Sequence, residues 1–201
     1  MNEGAPNVAP TRAPSRQRTP HERVVRALAA LLVVLLALLA VRLWAIDLFQ
    51  IVSASMEPTL LAANGDRPAD TIVLNRLAYL WSAPARWDVV VFTSTDESGR
   101  PVSVVKRVVG LPGELIEIEE GHVTVNGRRV DPPGDLGAIE YTRTGAFAAA
   151  PVLLGDERYF VLGDNSYPSI DSRRFGPIER ATILGRAAWI LWPRARAGAI
   201  R

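Results

Sequence analysis

Hydrophobic residues form one long run near the N-terminus and many short runs after it. Residues 27–41 are uniformly apolar and are dominated by Leu, Val and Ala. As a helix this run spans roughly 22 Å, whereas the longer segment 24–44 spans about 31 Å, close to the ~30 Å hydrocarbon core of a bilayer. The longer segment requires Arg26 and Arg42 to extend toward the two headgroup layers. The pattern predicts a transmembrane helix over residues 23–44.

The charges that flank this run predict its direction. Arginines are frequent before the run, and Arg42 and Asp47 follow it. Because cytoplasmic flanks are enriched in Lys and Arg, we expect a cytoplasmic N-terminus in a cell membrane and an extracytoplasmic chain from about residue 45. Residues 1–22 are rich in Pro, Ala and Arg, which predicts a disordered cytoplasmic tail. A cleavable signal peptide is an alternative, since residues 52–54 (Val-Ser-Ala) resemble a cleavage site, although they lie well beyond the apolar core.

The pattern after residue 45 is typical of β-strands. Residues 115–119 alternate apolar and polar positions, and 122–126 continue the alternation after a glycine. The Asn126-Gly127 pair indicates a type I′ hairpin turn before residues 128–130. Further apolar runs rich in β-branched or aromatic residues lie at 89–92, 102–109, 159–162 and 187–192.

No helical period of comparable length follows residue 50, and Pro and Gly interrupt residues 131–155. This stretch is therefore predicted to be a loop-rich insertion. The predicted fold is mostly β, with a single N-terminal transmembrane helix followed by an antiparallel β domain over residues 45–201.

Composition and charge exclude several function classes. The 201 residues carry a net charge of only +2, which argues against a nucleic-acid-binding surface. The chain has no cysteine, so disulfides, thiol catalysis and cysteine metal sites are excluded. Neither His21 nor His122 has partners at metal-ligand spacing, and we expect no metal site, no cofactor and no histidine-based triad.

Lys106 is the single lysine among 23 basic residues, and all the others are arginine. Arginine stays protonated in proteins, whereas a desolvated lysine can lose its proton and act as a base. Valines at 104, 105, 108 and 109 could desolvate this amine, and lowering its pKa to 7 or 8 requires roughly 3 to 5 kcal/mol. The alternative is an ordinary surface charge.

Small hydroxyl residues could supply a nucleophile for this base. They lie in residues 51–60, just after the predicted membrane exit, and in residues 161–173. A serine hydroxyl needs an adjacent base, and Ser-Lys pairs are a known variant of the serine triad. Taken alone, each serine is more often a turn residue, so the hypothesis depends on the joint occurrence of serine and lysine.

Four segments together resemble the type I signal peptidases, the membrane-bound Ser-Lys proteases that cut signal peptides from exported proteins. They are Ser53-Ala-Ser-Met-Glu-Pro-Thr-Leu60, Asp70-Thr-Ile-Val-Leu-Asn-Arg76, Lys106-Arg-Val-Val-Gly-Leu-Pro-Gly-Glu114 and Gly163-Asp-Asn-Ser-Tyr-Pro-Ser-Ile-Asp-Ser-Arg173. The segments follow the family's order, and the resemblance covers about residues 25–192. It implies a signal-peptidase-like antiparallel β catalytic domain, secreted preproteins as substrates, and the lipid bilayer and the protein-translocation machinery as partners.

The resemblance also implies a role for each site residue. Ser55 would be the nucleophile and Lys106 its base, and Ser53 would join the backbone N–H of Ser55 in stabilising the oxyanion. Ser169 would orient the lysine amine. The supporting ion pairs would be Asp171 with Arg173 and Asp164 with Arg107. A shallow pocket for small residues, matching the family's Ala-x-Ala preference, would be lined by Ile51, Met56, Leu60, Val104 and Val105.

Some positions depart from the family pattern, and alternatives remain. Val52 stands where the family usually has proline and Val104 where tyrosine is frequent, which leaves the substrate preference open. Two aspartates, Asp66 and Asp70, compete for one position of the family pattern, and we favour Asp70.

The apolar surface around Met56 and Trp81 is expected to dip into the lipid. The alternative functions are a conjugation- or pilin-processing peptidase of the same family and a non-catalytic, membrane-anchored β-module that binds exported chains.

Overall fold

The described part of the N-terminal unit belongs to one long helix. The computed structural model describes residues 20–96, 98–134 and 139–200, and the chain divides into two units, residues 1–41 and 42–201. Helix α1 spans Pro20–Ala45 and is long and apolar enough to cross a membrane. Its 26 residues extend about 39 Å, more than the ~30 Å of a hydrocarbon core. Of the predicted tail, residues 1–19 lie outside the described residues and 20–22 belong to α1.

The second unit is built mainly from β-strands, which confirms the predicted mostly-β class. In chain order the strands are β1 (Ile46–Gln50), β2 (Thr71–Asn75), β3 (Val89–Thr95), β4 (Pro101–Gly110), β5 (Leu115–Glu119), β6 (His122–Val125), β7 (Arg128–Val130), β8 (Val152–Leu153), β9 (Arg158–Leu162), β10 (Ile178–Glu179), β11 (Ile183–Trp192) and β12 (Gly198–Ala199). The helical pieces are a single turn, α2 (Ser172–Phe175), and 3₁₀ turns at Ala54–Met56, Arg180–Thr182 and Arg194–Arg196.

The strands form two sheets, and every strand pairing among the described residues is antiparallel. The larger sheet has the order β1-β2-β11-β3-β4-β9-β10, with β12 on β11, and the smaller has the order β7-β6-β5-β8. Strand β4 is interior, because β3 pairs with one edge and β9 with the other. Lys106 lies opposite Val90 of β3, and Arg107 lies opposite Leu162 of β9. This topology places two charged residues in the middle of a sheet.

Local sequence chemistry explains the hairpin that joins β6 and β7. Asn126 and Gly127 have φ values of 50° and 74°, so both central residues occupy the left-handed region that a type I′ turn requires. The described parts of the predicted insertion, residues 131–134 and 139–155, consist of turns and extended chain apart from β8. Strand β1 was not predicted, because its apolar alternation is short and merges with the end of α1.

The apolar core beneath the larger sheet holds the segment that follows β1. Ile51, Met56 and Leu60 are almost fully buried there, together with Ile72 of β2 and Val91 of β3. Burying side chains of this size contributes about 1.5 to 3 kcal/mol each relative to leaving them exposed. Three apolar anchors within ten residues therefore hold the intervening serines in place.

Candidate active site

Ser55 lies in a short 3₁₀ turn directly after β1. The turn spans Ala54–Met56, begins after Ser53 in extended conformation, and closes with a 3.1 Å hydrogen bond from the N–H of Glu57 to the carbonyl of Ala54. Ser55 is buried, and its carbonyl accepts a 3.1 Å hydrogen bond from the N–H of Asn165. The backbone around Ser55 is thus fixed both by the 3₁₀ turn and by the hydrogen bond from Asn165.

Lys106 reaches Ser55 from the interior strand β4. Its Nζ lies 2.7 Å from the Ser55 Oγ and 3.1 Å from the carbonyl oxygen of Val105, and the residue is only 4% exposed. Desolvation by burial lowers the pKa of Lys106 to about 8; the Asp171 and Asp164 carboxylates oppose the shift, whereas Arg173 assists it. With this pKa about a tenth of the amines are neutral at pH 7, and a neutral amine accepts the hydroxyl proton instead of donating one.

Ser53 lies next to the nucleophile candidate. Its Oγ is 3.1 Å from the Ser55 Oγ, and either hydroxyl can donate. Ser53 belongs to the exposed side of the turn, whereas Ser55 is buried. The predicted oxyanion donors, the Ser53 hydroxyl and the Ser55 N–H, therefore come from one short segment of backbone.

Arg107 points away from Lys106 because successive residues of a strand face opposite sides. Its guanidinium pairs in bidentate fashion with Asp164, with Nε–Oδ1 and Nη2–Oδ2 distances of 2.8 and 2.7 Å, and both side chains are fully buried. Arg107 also donates to the carbonyl of Trp87 and to the Thr59 hydroxyl. This pair ties β4 to the segment after Ser55 and to the loop after β9.

The second predicted ion pair organises the same loop. Arg173 donates to both carboxylate oxygens of Asp171, at 2.8 and 2.7 Å, and to groups of Thr142 and Ser166. Asp171 also caps α2 through the N–H of Arg173 and accepts from the N–H of Gly163. All the polar groups of the pair find partners, as buried charges require.

Ser169 does not make the contact predicted for it. Its hydroxyl is buried and has no hydrogen-bond partner among the described residues, while the Lys106 amine bonds Ser55 and Val105. It packs against Gly163, where an added Cβ would overlap both the Ser169 hydroxyl and the Ser55 carbonyl. Glycine at 163 is therefore what lets this loop approach the nucleophile candidate closely.

A cavity of about 220 Å³ opens beside Ser55 and Lys106. It is lined by residues 49–53 and 103–106 together with Ser55 and Met56. Four of the five predicted pocket residues line it: Ile51, Met56, Val104 and Val105. The prediction for Leu60 is wrong, since its side chain is fully buried in the core and does not reach the cavity.

Three further residues hold the site, and only one of them had a sequence signal. Asp70 is fully buried and accepts hydrogen bonds from the N–H of Leu61 and from Arg196, whereas Asp66 is exposed. Arg196 also donates to the carbonyl of Thr59, so it clamps the segment after Ser55 to the C-terminal part of the chain. Arg196 and Asn165 were not predicted, because Arg196 follows the matched segments and Asn165 acts through its backbone.

Comparison with known proteins assigns the chain to a family. The family model described as "Signal peptidase, peptidase S26" matches residues 24–192. A probable signal peptidase I-2 of Synechocystis is 34% identical over 169 residues, which cover 80% of this chain and 69% of that protein. Signal peptidase I of Leptolyngbya laminosa is 30% identical over 165 residues, covering 80% and 75% of the two chains.

Signal peptidase I V of Bacillus subtilis is 31% identical over 146 residues, which cover 68% of this chain and 80% of that protein. The matched region contains the turn with Ser55, the strand with Lys106 and the loop from Gly163 to Arg173. The chain therefore belongs to the signal peptidase (S26) family and is a serine endopeptidase of the signal peptidase I type.

Proposed function

We propose that this protein is a membrane-anchored endopeptidase that removes signal peptides from exported preproteins, with Ser55 as nucleophile and Lys106 as general base. The observation that carries the proposal is the 2.7 Å contact between the Ser55 Oγ and the amine of a buried lysine. The lowered pKa of Lys106 supports the role of base, because a substantial neutral fraction then exists near neutral pH. The curated relatives, named as signal peptidases, support the substrate class.

The first half of the reaction forms a covalent intermediate. The neutral Lys106 amine takes the proton of Ser55 as the Oγ attacks the scissile carbonyl carbon. The carbonyl oxygen becomes an oxyanion, which the Ser53 hydroxyl and the Ser55 N–H stabilise; loss of one such donor typically costs about 3 to 4 kcal/mol of activation free energy. The protonated Lys106 then gives its proton to the leaving amine, and the C–N bond breaks.

The second half releases the signal peptide. Lys106, neutral again, takes a proton from a water molecule that attacks the acyl-serine ester. Lys106 then returns the proton to Ser55, and the carboxylate product leaves. The same lysine serves both halves because it is the sole lysine of the chain and lies within hydrogen-bond reach of the serine.

The shape of the small cavity supports a preference for small residues before the cut, as at Ala-x-Ala sites. Its volume of about 220 Å³ is shared by the extended segments 49–53 and 103–106. Ile51 and Met56 form part of the wall and are buried in the core, so the wall cannot move aside easily. A tight apolar pocket of this kind discriminates mainly by size.

We further propose that the catalytic unit works at a membrane surface on the extracytoplasmic side. Helix α1 is the anchor, and the arginines before it favour a cytoplasmic N-terminus. The larger sheet also carries an apolar row across three adjacent strands, in which exposed Leu48 and Trp189 both pair with half-buried Val73. Met56 does not contribute to such a surface because it is buried, whereas Trp81 is 88% exposed. Confinement to two dimensions raises the effective concentration of preproteins and favours encounters with the translocation machinery.

Cleavage of a preprotein with an Ala-x-Ala site by the purified full chain in detergent tests the proposed dyad. We expect cleavage by the wild type, and none by Ser55→Ala or by Lys106→Arg, because arginine stays protonated. Circular dichroism of the variants checks that they are folded. Activity in folded Lys106→Arg would refute the role of Lys106 as base, and an inactive wild type would refute the function.

The membrane contact has its own test. In vesicles with brominated lipids, we expect fluorescence quenching of a variant that keeps only Trp189 and of one that keeps only Trp81. A variant that keeps only Trp87 is the control, because Trp87 is half-buried and packs against the buried cluster that includes Ile116, Phe160 and Leu162. Equal quenching of all three variants would contradict a defined lipid-facing surface.

A further inference from the structure

A second, larger cavity lies beside the residues that follow Ser55. Its volume is about 720 Å³, and its walls are Glu57 and Pro58, the segment 139–142, the loop 164–167 and Gly121. It shares no lining residue with the small cavity that contains Ser55 and Lys106. The mechanism above makes no use of it.

This cavity is tied rigidly to the nucleophile. The N–H of Asn165, in its wall, donates to the carbonyl of Ser55 at 3.1 Å. Asp164 is fixed by its buried bidentate pair with Arg107. Glu57, another lining residue, forms an ion pair with Arg67 at 2.6 Å. Several lining residues of the cavity are therefore held in place by hydrogen bonds and ion pairs.

This cavity lies close enough to Ser55 for a bound substrate to reach it. If the residues before the cut occupy the small cavity, the residues after the cut must continue past Ser55. Pro58 is three residues beyond Ser55, a separation of at most about 11 Å. An extended substrate covers about 3.3 Å per residue, so its second to fourth residues after the cut are at the right distance from Ser55 to enter the larger cavity.

The chemistry of the walls favours a cationic side chain. Tyr167 lines the cavity and is 93% exposed, so its aromatic ring is accessible to a ligand. Among the carboxylates of the lining, Glu57 and Asp164 are paired with arginines. Glu140 is exposed and forms no ion pair within the described part of the chain. A cation here would gain from both the carboxylate and the aromatic ring.

We propose that this cavity binds the first residues of the mature chain, and that Glu140 and Tyr167 favour a lysine or arginine at the second to fourth positions after the cut over an acidic residue. The proposal rests on the proposed role of Ser55 as nucleophile, because that role sets where the cut lies. The enzyme would then discriminate between substrates by the first residues of the mature chain, which is the product released first.

Peptide affinities for the full-chain Ser55→Ala protein in detergent test this proposal. The peptides share an Ala-x-Ala segment and carry Lys, Gln or Glu at the second to fourth positions after the cut, and one further peptide ends at the first position. Fluorescence anisotropy of labelled peptides gives each Kd. We expect the Lys peptides to bind about fivefold more tightly than the Gln peptides, as one ion pair at about 4 Å in water implies, and the Glu peptides to bind more weakly still.

Variants added to the Ser55→Ala protein locate the effect. Glu140→Gln should abolish most of the difference between Lys and Gln peptides, and Tyr167→Ala should weaken binding of the long peptides but not of the truncated one. Glu157→Gln, at an exposed carboxylate that lines a different cavity, should leave all ratios unchanged. Equal affinities for Lys, Gln and Glu peptides, or a Lys preference that survives Glu140→Gln, would overturn the proposal.

The same measurements separate this proposal from the proposed function. If Ser55→Ala still cuts the peptides, the nucleophile assignment fails, and product analysis detects that. The affinities test whether the cavity binds the residues after the cut, and they do not require cleavage, since binding at the second to fourth positions does not involve the serine hydroxyl.

Discussion

The pH dependence of cleavage should report the protonation of Lys106 directly. The base must be neutral, and burial lowers the pKa of Lys106 to about 8. The neutral fraction is then about 1% at pH 6, about half at pH 8 and about 90% at pH 9. Because only the neutral amine accepts the Ser55 proton, kcat/KM should rise nearly tenfold per pH unit below about pH 7.5 and level off above about pH 8.5.

The total rise between pH 6 and pH 9 should be about 90-fold, equivalent to about 2.7 kcal/mol of activation free energy. The assay is the initial rate of the full chain in detergent on an internally quenched peptide with an Ala-x-Ala site and no side chain that titrates in this range. Circular dichroism at both pH limits checks that the fold is unchanged. A flat profile, or a midpoint below about pH 6.5, would refute the reasoning that Lys106 is a desolvated base.

Three other results should follow from the geometry. Lys106→Met should raise the free energy of unfolding at pH 7 by up to about 3 kcal/mol, because folding lowers the pKa of Lys106 from 10.5 to about 8. This gain should shrink as the pH rises from about 8 to about 10.5, which urea unfolding at several pH values measures. Gly163→Ala should lower kcat/KM more than about 100-fold while the protein stays folded, because the added Cβ would displace the Ser55 carbonyl and Ser169. Peptide cleavage and circular dichroism check this, and full activity would contradict the close approach of Gly163 to Ser55. Arg107→Met and Asp164→Leu should each cost about 3 to 5 kcal/mol of unfolding free energy, and the double variant should cost less than the sum of the two; a purely additive double-mutant cycle would show that the pair is not coupled.

The strand content of the catalytic unit was largely predictable from local patterns. Residues 115–119 alternate with period two because one face of β5 is buried and the other is not, and the observed strand has the same bounds. The Asn-Gly turn was predictable because few other pairs adopt two left-handed residues. Strand β1 escaped prediction because its pairing with β2, not its own pattern, makes it a strand.

The site was predictable in part. Ser55 and Lys106 could be singled out because a lone lysine among arginines, flanked by valines, is chemically unusual, and because the segments around them resemble a known family. Leu60 was assigned to the pocket although it belongs to the core, since an apolar residue near a serine carries no sign of which side it faces. Ser169 was expected to contact the lysine amine, but its hydroxyl has no hydrogen-bond partner among the described residues.

The sequence by itself determined the long apolar N-terminal helix, the mostly β character of the rest and the choice of Ser55 and Lys106 as candidates for serine–lysine chemistry. These features depend on composition and on periodicity over a few residues. The tertiary structure alone decided that Ser55 and Lys106, 51 residues apart, lie 2.7 Å from each other, and that Arg196 clamps Asp70 across 126 residues. It also decided that the residues just after Ser55, Glu57 and Pro58, line a large cavity. Such contacts join segments far apart in the chain, and local patterns show that a face will be buried without showing what covers it.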